Sequence, residues 1–528
     1  MGIPSYFSYI VKNHPNIIKK IENYSFKINN LYLDSNSIIY DVVNSLMDDL
    51  TTVNIIKHVL IKIENIIQIL QPTTLIYIAF DGVAPVAKLN QQRERRYKSW
   101  YQGEIQSKLF NKVKKNAWNT TAITPGTLFM KELNDKMKSY FSSNKKVIVS
   151  TSYDYGEGEH KIFEYIRKNP EKHDNDLVTV IYGLDADLIM LSINHLPINK
   201  NIYLFRETPH FIQSIHKDFE PNEHYLLDIP ELSNIIISDM NNGLELTTIQ
   251  QKNRVYDYIF LCFFLGNDFM PHFPSVNIRT GGIDKMLNAY KETIGSTNDN
   301  LTDGKVIFWK NVRKLVSFLA EQEEEWFKNE MKLRDKKEKF YYPTKNDEDI
   351  QKKFDALPTY ERELEKYINP FKCGWEQRYY EKLFKIDYEE EKIKSVCQNY
   401  IEGLEWTMKY YTIGCPNWRW SYRYHYPPLL KDLLKVIPYF ETETVTICNE
   451  NPVSALVQLC YVVPKPSLTL LPKQLYDLLI LNHENWFKTD CEFIWSYCRY
   501  FWESHVDLPE ININELEDFV KSNEYLLK

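Results

Sequence analysis

Short apolar runs, each ending in polar or acidic residues, punctuate the first 290 residues of the chain. They are Leu31-Tyr32-Leu33, Leu75 to Phe80, Val147-Ile148-Val149, Val178 to Tyr182 and Ile202 to Phe205. Stretches with helical spacing separate them, so the pattern predicts an α/β unit. Near-continuous apolar runs suit strands of a parallel sheet covered on both faces. From about residue 321 to 356 the pattern changes. The segment is dense in Glu and Lys of mixed sign (EQEEEWFKNEMKLRDKKEK) with little apolar periodicity, and it reads as a solvated helix running into a linker. Beyond about residue 357 the chain is aromatic-rich and mostly helical, with a Pro- and Trp-rich loop at 413–428. The expected division is 1–310, 311–356 and 357–528, without an internal repeat.

Composition narrows the chemistry. With 44% hydrophobic and 26% charged residues among 528, the chain has the balance of a folded, soluble protein. No apolar stretch reaches the roughly 18–20 residues of a membrane span. The start, MGIPSYFSYIVKNHPNIIKK, lacks the basic and apolar regions of a secretory signal. Tyr6 stands where a myristoylation pattern needs Ser or Thr. An intracellular protein is expected, cytoplasmic in preference to nuclear. The eight cysteines form no C-x-x-C and pair with no closely spaced histidines, which disfavours thiolate zinc sites and a disulfide framework. Any metal should therefore be held by oxygen. The net charge of −7 argues against capture of nucleic acid by the whole surface, though not by a local basic site.

The acids fall at telling places. Asp34 follows Leu31 to Leu33, Asp81 follows Leu75 to Phe80, and Asp185 and Asp187 follow Val178 to Leu184. In an open parallel sheet, ligands gather beyond the carboxyl ends of the strands, so three such strands aim acids at one place. Glu157 and Glu159, within Gly156-Glu157-Gly158-Glu159-His160, precede a helical pattern, and Asp268 lies in the turn after the apolar helix Tyr258 to Leu265. Each acid alone could be a helix cap or a turn former. Their coincidence points further. Seven carboxylates in one cleft repel unless cations are present. Two Mg²⁺ ions about 3.5–4 Å apart suit such oxygen ligands and phosphodiester hydrolysis. Mn²⁺ is expected to substitute.

Between Lys88 and Lys115 nine Lys or Arg face only two acids, Glu94 and Glu104. Lys88, Gln92, Arg95 and Arg96 share one face of a helix. Such a set can cage a phosphate carrying two negative charges. A merely solvated basic helix is the commoner fate of a charge run, but this one begins just after Asp81 and should overlook the acids. Tyr40, six residues past Asp34, and Trp418 and Trp420 in the 413–428 loop could stack on bases without sequence preference. In so aromatic a chain, packing is the default role for the tryptophans.

These residues resemble the eukaryotic 5′→3′ exoribonuclease family, the XRN nucleases. MGIPSYF, LYLDSNSIIY, FDGVAPVAKLNQQRERRYKSW, ITPGTLFMKEL, GEGEHKIFEYIR, YGLDADLIML and FLCFFLGNDFMPHFPSVNIRTGGIDKML are similar to the family's first conserved region. PTYERELEKYI, GWEQRYYEKLF, GLEWTMKYYTIGCPNWRWSYRYHYPPLLKDL and VQLCYVVPKPSLTLLP are similar to the second. The resemblance implies a PIN-like, flap-endonuclease-like α/β core with a mainly parallel sheet, plus a helical second region closing the active-site channel. It implies that Asp34, Asp81, Glu157, Glu159, Asp185, Asp187 and Asp268 bind two Mg²⁺ ions, and that Lys88, Gln92, Arg95 and Arg96 hold a 5′-monophosphate. The expected substrate is single-stranded RNA with that end, degraded processively by a monomer to nucleoside 5′-monophosphates. Tyr40 stands where the family commonly has a stacking His, and Trp418 or Trp420 is its expected partner. The long C-terminal extensions of the large members are not expected here. Two rival readings remain, a structure-specific DNA flap nuclease and a catalytically silent RNA 5′-end binding protein.

Overall fold

The β-branched and aromatic runs predicted as strands assemble into one sheet. The computed structural model describes residues 5–46, 50–110, 118–174, 176–183, 185–207, 219–220, 223–448 and 450–527. The strands of this sheet are β1 (Ile18–Lys20), β2 (Asn30–Asp34), β3 (Leu75–Ala79), β4 (Val147–Ser150), β5 (Thr179–Tyr182), β6 (Ile202–Glu207) and β7 (His224–Asp228). They lie side by side in the order β1-β7-β6-β5-β2-β3-β4. Strands β2 to β6 are mutually parallel, while β7 runs antiparallel to both β6 and β1. The chain leaves β2 for β3 on one side and returns to β5 on the other, which makes the β2/β5 seam a topological switch point.

Both faces of the sheet are covered, as the apolar runs required. Leu31 and Leu33 of β2 pack with Ile55, Val59 and Ile63 of the helix Thr52–Leu70. Tyr32 points the other way, into a cluster with Ile162, Phe163, Leu188 and Met190. That second cluster continues without a break through the helix Thr248–Phe263 to Trp406, Tyr410 and Tyr411 of the helix Glu390–Thr412. The α/β core and the helical second region therefore share one apolar interior.

The charged segment departs from its expected form. It belongs to a 30-residue helix, Trp309–Glu338, with a buried stripe at Val312, Leu315, Val316, Leu319, Glu323, Phe327, Glu330, Met331 and Arg334. The stripe keeps helical spacing but passes onto charged residues after Leu319, so hydropathy alone loses it. Two of those charges, Glu323 and Arg334, have clear partners. Glu323 accepts the backbone N–H of Leu430 at 2.8 Å, at the start of the helix Leu430–Val436. Arg334 makes a two-pronged pair with Glu365 at 2.8 and 2.6 Å, and Arg362 joins the same carboxylate at 2.7 Å. Only the following helix, Asp347–Asp355, has no buried residue, as a solvated segment should.

Candidate active site

Strand register brings the acids together. Asp34 ends β2 opposite Ala79 of β3, and Leu33 lies opposite Tyr182 of β5. Asp81 and Asp185 therefore leave neighbouring strands at the same edge as Asp34. Asp185 occupies the N-cap of the helix Ala186–His195, where its carboxylate accepts the Leu188 N–H at 2.8 Å, and Asp187 sits in that helix's first turn. Glu157 and Glu159 flank the first residue of the helix Gly158–Lys168, and Glu157 makes no side-chain cap bond to it. The cap role weighed for this acid is thus not used. Asp268 follows the helix Thr248–Phe263 through a turn in which Gly266 has φ +86°, a left-handed backbone that favours glycine.

Close contacts link these segments. The Gly158 N–H donates to Asp81 Oδ1 at 2.7 Å. A Cβ at residue 158 would lie 2.6 Å from Asp34 Oδ1, so only glycine lets this helix start approach the two aspartates. The Lys88 ammonium pairs with Glu157 and, at 2.6 Å, with Asp268. From the second region, the Tyr410 hydroxyl donates to Glu157 at 3.1 Å and the Tyr411 hydroxyl to Asp187 at 2.7 Å. Glu157, Glu159, Asp187 and Asp268 are buried, Asp34 and Asp81 half-buried, and Asp185 is the exposed member.

The electrostatics are those of crowded negative charge. Burial, then the charges of Asp81, Asp185 and Glu157, hold Asp34 well above the usual carboxylate range. Burial with Asp185 and Asp187 does the same to Glu159. Asp187 is pushed up to about 7 by burial and by Asp268 and Asp185. Burial raises Glu157 against the opposing effect of Lys88, and the surrounding protein desolvates Asp185 enough to raise it too, although its side chain meets solvent, against the Leu188 N–H. Asp268 goes the other way: burial would raise it, but contact with Lys88 holds it far below its ordinary value. Burial likewise opposes the charge on Lys88, yet Asp268, Glu157, Glu159 and Asp187 together raise it well above an ordinary lysine. One ammonium cannot balance seven carboxylates. The seven acids offer oxygen donors, which fit hard divalent cations, and His160 adds a nitrogen beside Glu157 and Glu159.

The basic run forms the helix Val86–Leu109 as predicted; its last three cations, at positions 112, 114 and 115, lie outside the described residues. Two sides of this helix do different work. Arg93 donates to the carbonyls of Pro509 and Trp486, Lys98 to those of Ser504 and Trp502, and Asn90 accepts from Tyr461. That side holds the C-terminal part of the second region. On the other side, Lys88 and Gln92 are buried and Arg95 and Arg96 half-buried. Lys88 lies among the acids rather than beside the two arginines' outer ends. Burial, aided by Arg95, lowers the Arg96 guanidinium to about 10. Its Nη2 reaches the Ile123 carbonyl at 3.5 Å, and its Nη1 is buried with no partner among the described residues. An unpaired buried donor of this kind is costly unless a ligand uses it.

The three candidate stacking residues separate. Trp420 lies against Trp406 with ring centroids 5.2 Å apart, at the end of a column running through Tyr410 to His160. Tyr40, on the helix Asn36–Ser45, and Trp418 are half-buried, and neither ring meets another aromatic among the described residues. Trp418 is tied to the start of the basic helix through its carbonyl, which accepts the Val86 N–H at 3.0 Å.

Two family models match the chain. One, described as "XRN 5'-3' exonuclease N-terminus", covers residues 1–208, and the other, "Xrn1 helical domain", covers residues 248–366 and 343–527. The chain belongs to the XRN 5′-3′ exonuclease family. Its curated relatives include the chicken (Gallus gallus) 5′-3′ exoribonuclease 2, which is 28% identical across 89% of this chain and 64% of its own length. The 5′-3′ exoribonuclease 1 of Saccharomyces cerevisiae is 26% identical over 91% of this chain and 40% of its own length. This chain thus spans less than two thirds of either relative. Among solved structures, the catalytic core of Rad2 in complex with DNA substrate aligns with a TM-score of 0.32 at 14% identity, covering 68% of this chain and 84% of that one.

Three residues of this XRN-family site carried no sequence signal. Asn36 exchanges two hydrogen bonds with Asp81, its amide donating to Oδ2 at 2.7 Å and its carbonyl oxygen accepting the Asp81 N–H at 3.0 Å. An Asn near a strand end could have been noticed as a turn former, but nothing in the sequence pairs it with Asp81. Tyr410 and Tyr411 sit in a chain with 37 tyrosines, where two more on a buried helix do not stand out.

Proposed function

We propose that this chain is a processive 5′→3′ exoribonuclease that hydrolyses 5′-monophosphorylated RNA to nucleoside 5′-monophosphates and acts in RNA decay. The observation that carries this reading is the convergence of seven carboxylates from five separate segments beside a helix with a buried, unpaired guanidinium donor. Asp34, Asp81, Glu157, Glu159, Asp185, Asp187 and Asp268 would hold two Mg²⁺ ions, with Mn²⁺ able to replace them. When bound, such ions activate a water and stabilise the leaving oxygen of a phosphodiester. The protein's own groups do the rest. Gln92, Arg95 and Arg96 grip the terminal phosphate, Lys88 adds charge between that phosphate and the acids, and Asn36 fixes the Asp81 carboxylate. Tyr410 and Tyr411 orient Glu157 and Asp187, so the second region acts on the acids directly. Tyr40 and Trp418 offer ring faces to the first bases, a role that the internal packing of Trp420 does not support.

The partner is single-stranded RNA, engaged by a monomer. No helix among the described residues is long and apolar enough to cross a membrane, and the cytoplasm is the proposed site of action. A degradation time course on RNAs differing only at the 5′ end tests the reading. The 5′-monophosphate RNA should vanish with Mg²⁺ and persist with a chelator, while the 5′-triphosphate and 5′-hydroxyl forms resist. Faster cleavage of a DNA flap would favour the flap-nuclease reading, and tight RNA binding without products would favour a silent 5′-end binder.

A further inference from the structure

A second group of metal-ligand side chains lies away from the acids, where the basic helix meets the second region. Glu94 comes from the helix Val86–Leu109, His425 from the loop between the helices Glu390–Thr412 and Leu430–Val436, and His505 from the short strand His505–Val506. One ligand atom from each lies within 4.8 Å of the others. His505 Nδ1 is 3.5 Å from Glu94 Oε1, and the two imidazole rings lie 5.0 Å apart, centroid to centroid. Neighbouring donors on a tetrahedral zinc bound at about 2.0–2.1 Å are themselves about 3.3 Å apart, a spacing the His505–Glu94 pair nearly has and the His425 ring reaches by moving inward. All three side chains are half-buried, which leaves room for water as a fourth ligand.

We propose that Glu94, His425 and His505 form a zinc-binding site that fastens the basic helix to the second region. Two imidazoles and one carboxylate are a donor set that suits Zn²⁺ and disfavours Mg²⁺. The Glu94 carboxylate is already aligned by the Val506 N–H at 2.9 Å. Among the described residues Lys98 is the cation paired with Glu94, 3.7 Å from Oε1, but its ammonium donates to the carbonyls of Ser504 and Trp502. Glu94 adjoins Arg95 and Arg96 in sequence, so the ion would brace the helix that carries them.

The test is zinc content. The full chain is stripped with chelator, given zinc in the presence of excess Mg²⁺ to occupy the acid cluster, desalted and measured by atomic emission. The unaltered protein should retain one equivalent more than His505→Gln or Glu94→Gln, each checked for an unchanged circular dichroism spectrum. Cobalt(II) loaded in the same way should give a visible absorption band that both variants lose. Equal zinc content and equal cobalt spectra in all three proteins would overturn the site. Should His505→Gln fail to fold, Glu94→Gln alone decides, because the helix keeps its other docking contacts.

Discussion

Lys88 shows how one side chain can belong to two parts of a site. On helical spacing it groups with Gln92, Arg95 and Arg96, and all four lie on the same helix. Its ammonium nevertheless pairs with Glu157 and Asp268. A four-carbon stem allows this, whereas a guanidinium fork placed there would demand two parallel acceptors. On the proposed function, Arg96 is left as the group that most directly reads a terminal phosphate. Arg96→Ala should lower kcat/KM on 5′-monophosphorylated RNA by about 10- to 100-fold, the worth of a charge-assisted hydrogen bond at about 1.5–3 kcal/mol. Kinetics on 5′-hydroxyl RNA should hardly change; an equal loss on both ends would mean that Arg96 merely contacts the backbone. The seven acids could be read from the sequence because each follows a strand or borders a helix. Asn36, Tyr410 and Tyr411 could not, because their meaning lies wholly in tertiary contacts with those acids. The sequence left Trp418 and Trp420 undivided for the same reason: ring stacking on Trp406 depends on how a loop folds back.

At the scale of elements, the parallel strands were legible since burial on both faces demands unbroken apolar runs. The antiparallel margin was not. β1 has the sequence Ile-Lys-Lys with all three residues half-buried, a pattern that edge strands share with loops. The long helix Trp309–Glu338 was legible as a helix but not as a packed one, since Glu323, Glu330 and Arg334 carry its buried stripe onward. Its packing rests on a buried charge network in which Glu365 receives Arg334, Arg362 and the Tyr497 N–H. Glu365→Ala would leave the buried Arg334 guanidinium without its carboxylate, while Arg362 keeps Asp335 at 2.9 Å and Glu338 at 3.2 Å, a loss of about 3–5 kcal/mol. Chemical denaturation should show a clearly lower midpoint. A midpoint within error of the unaltered protein would mean that solvent already screens these charges.

At the scale of the whole molecule, the acid cluster sets a stability cost that cations offset. In the metal-free fold Asp34, Glu157, Glu159, Asp185 and Asp187 are raised above their ordinary values, Asp187 to about 7. The folded state then holds protons that the unfolded chain has released, so stability falls as pH rises from about 4 through 7. On the proposed function, divalent cations bind the ionised form and reverse that loss. Mg²⁺ should therefore raise Tm more at pH 8 than at pH 5, as read by thermal melts with and without chelator. A gain that is larger at pH 5 would refute this coupling. The second region enters the same balance, since its tyrosines donate to Glu157 and Asp187 and its C-terminal carbonyls anchor the basic helix.

The most direct measurement follows one variant, Asp185→Asn, on 5′-phosphorylated RNA labelled at its 5′ end. This substitution keeps an oxygen acceptor for the Leu188 N–H, and so the helix cap, while removing one charge from the exposed acid of the cluster. With Mg²⁺ the unaltered protein should release the label as nucleoside 5′-monophosphate, and the variant should bind the RNA as before yet release none. Release at an undiminished rate by the variant would contradict the proposal that these acids act together on bound cations.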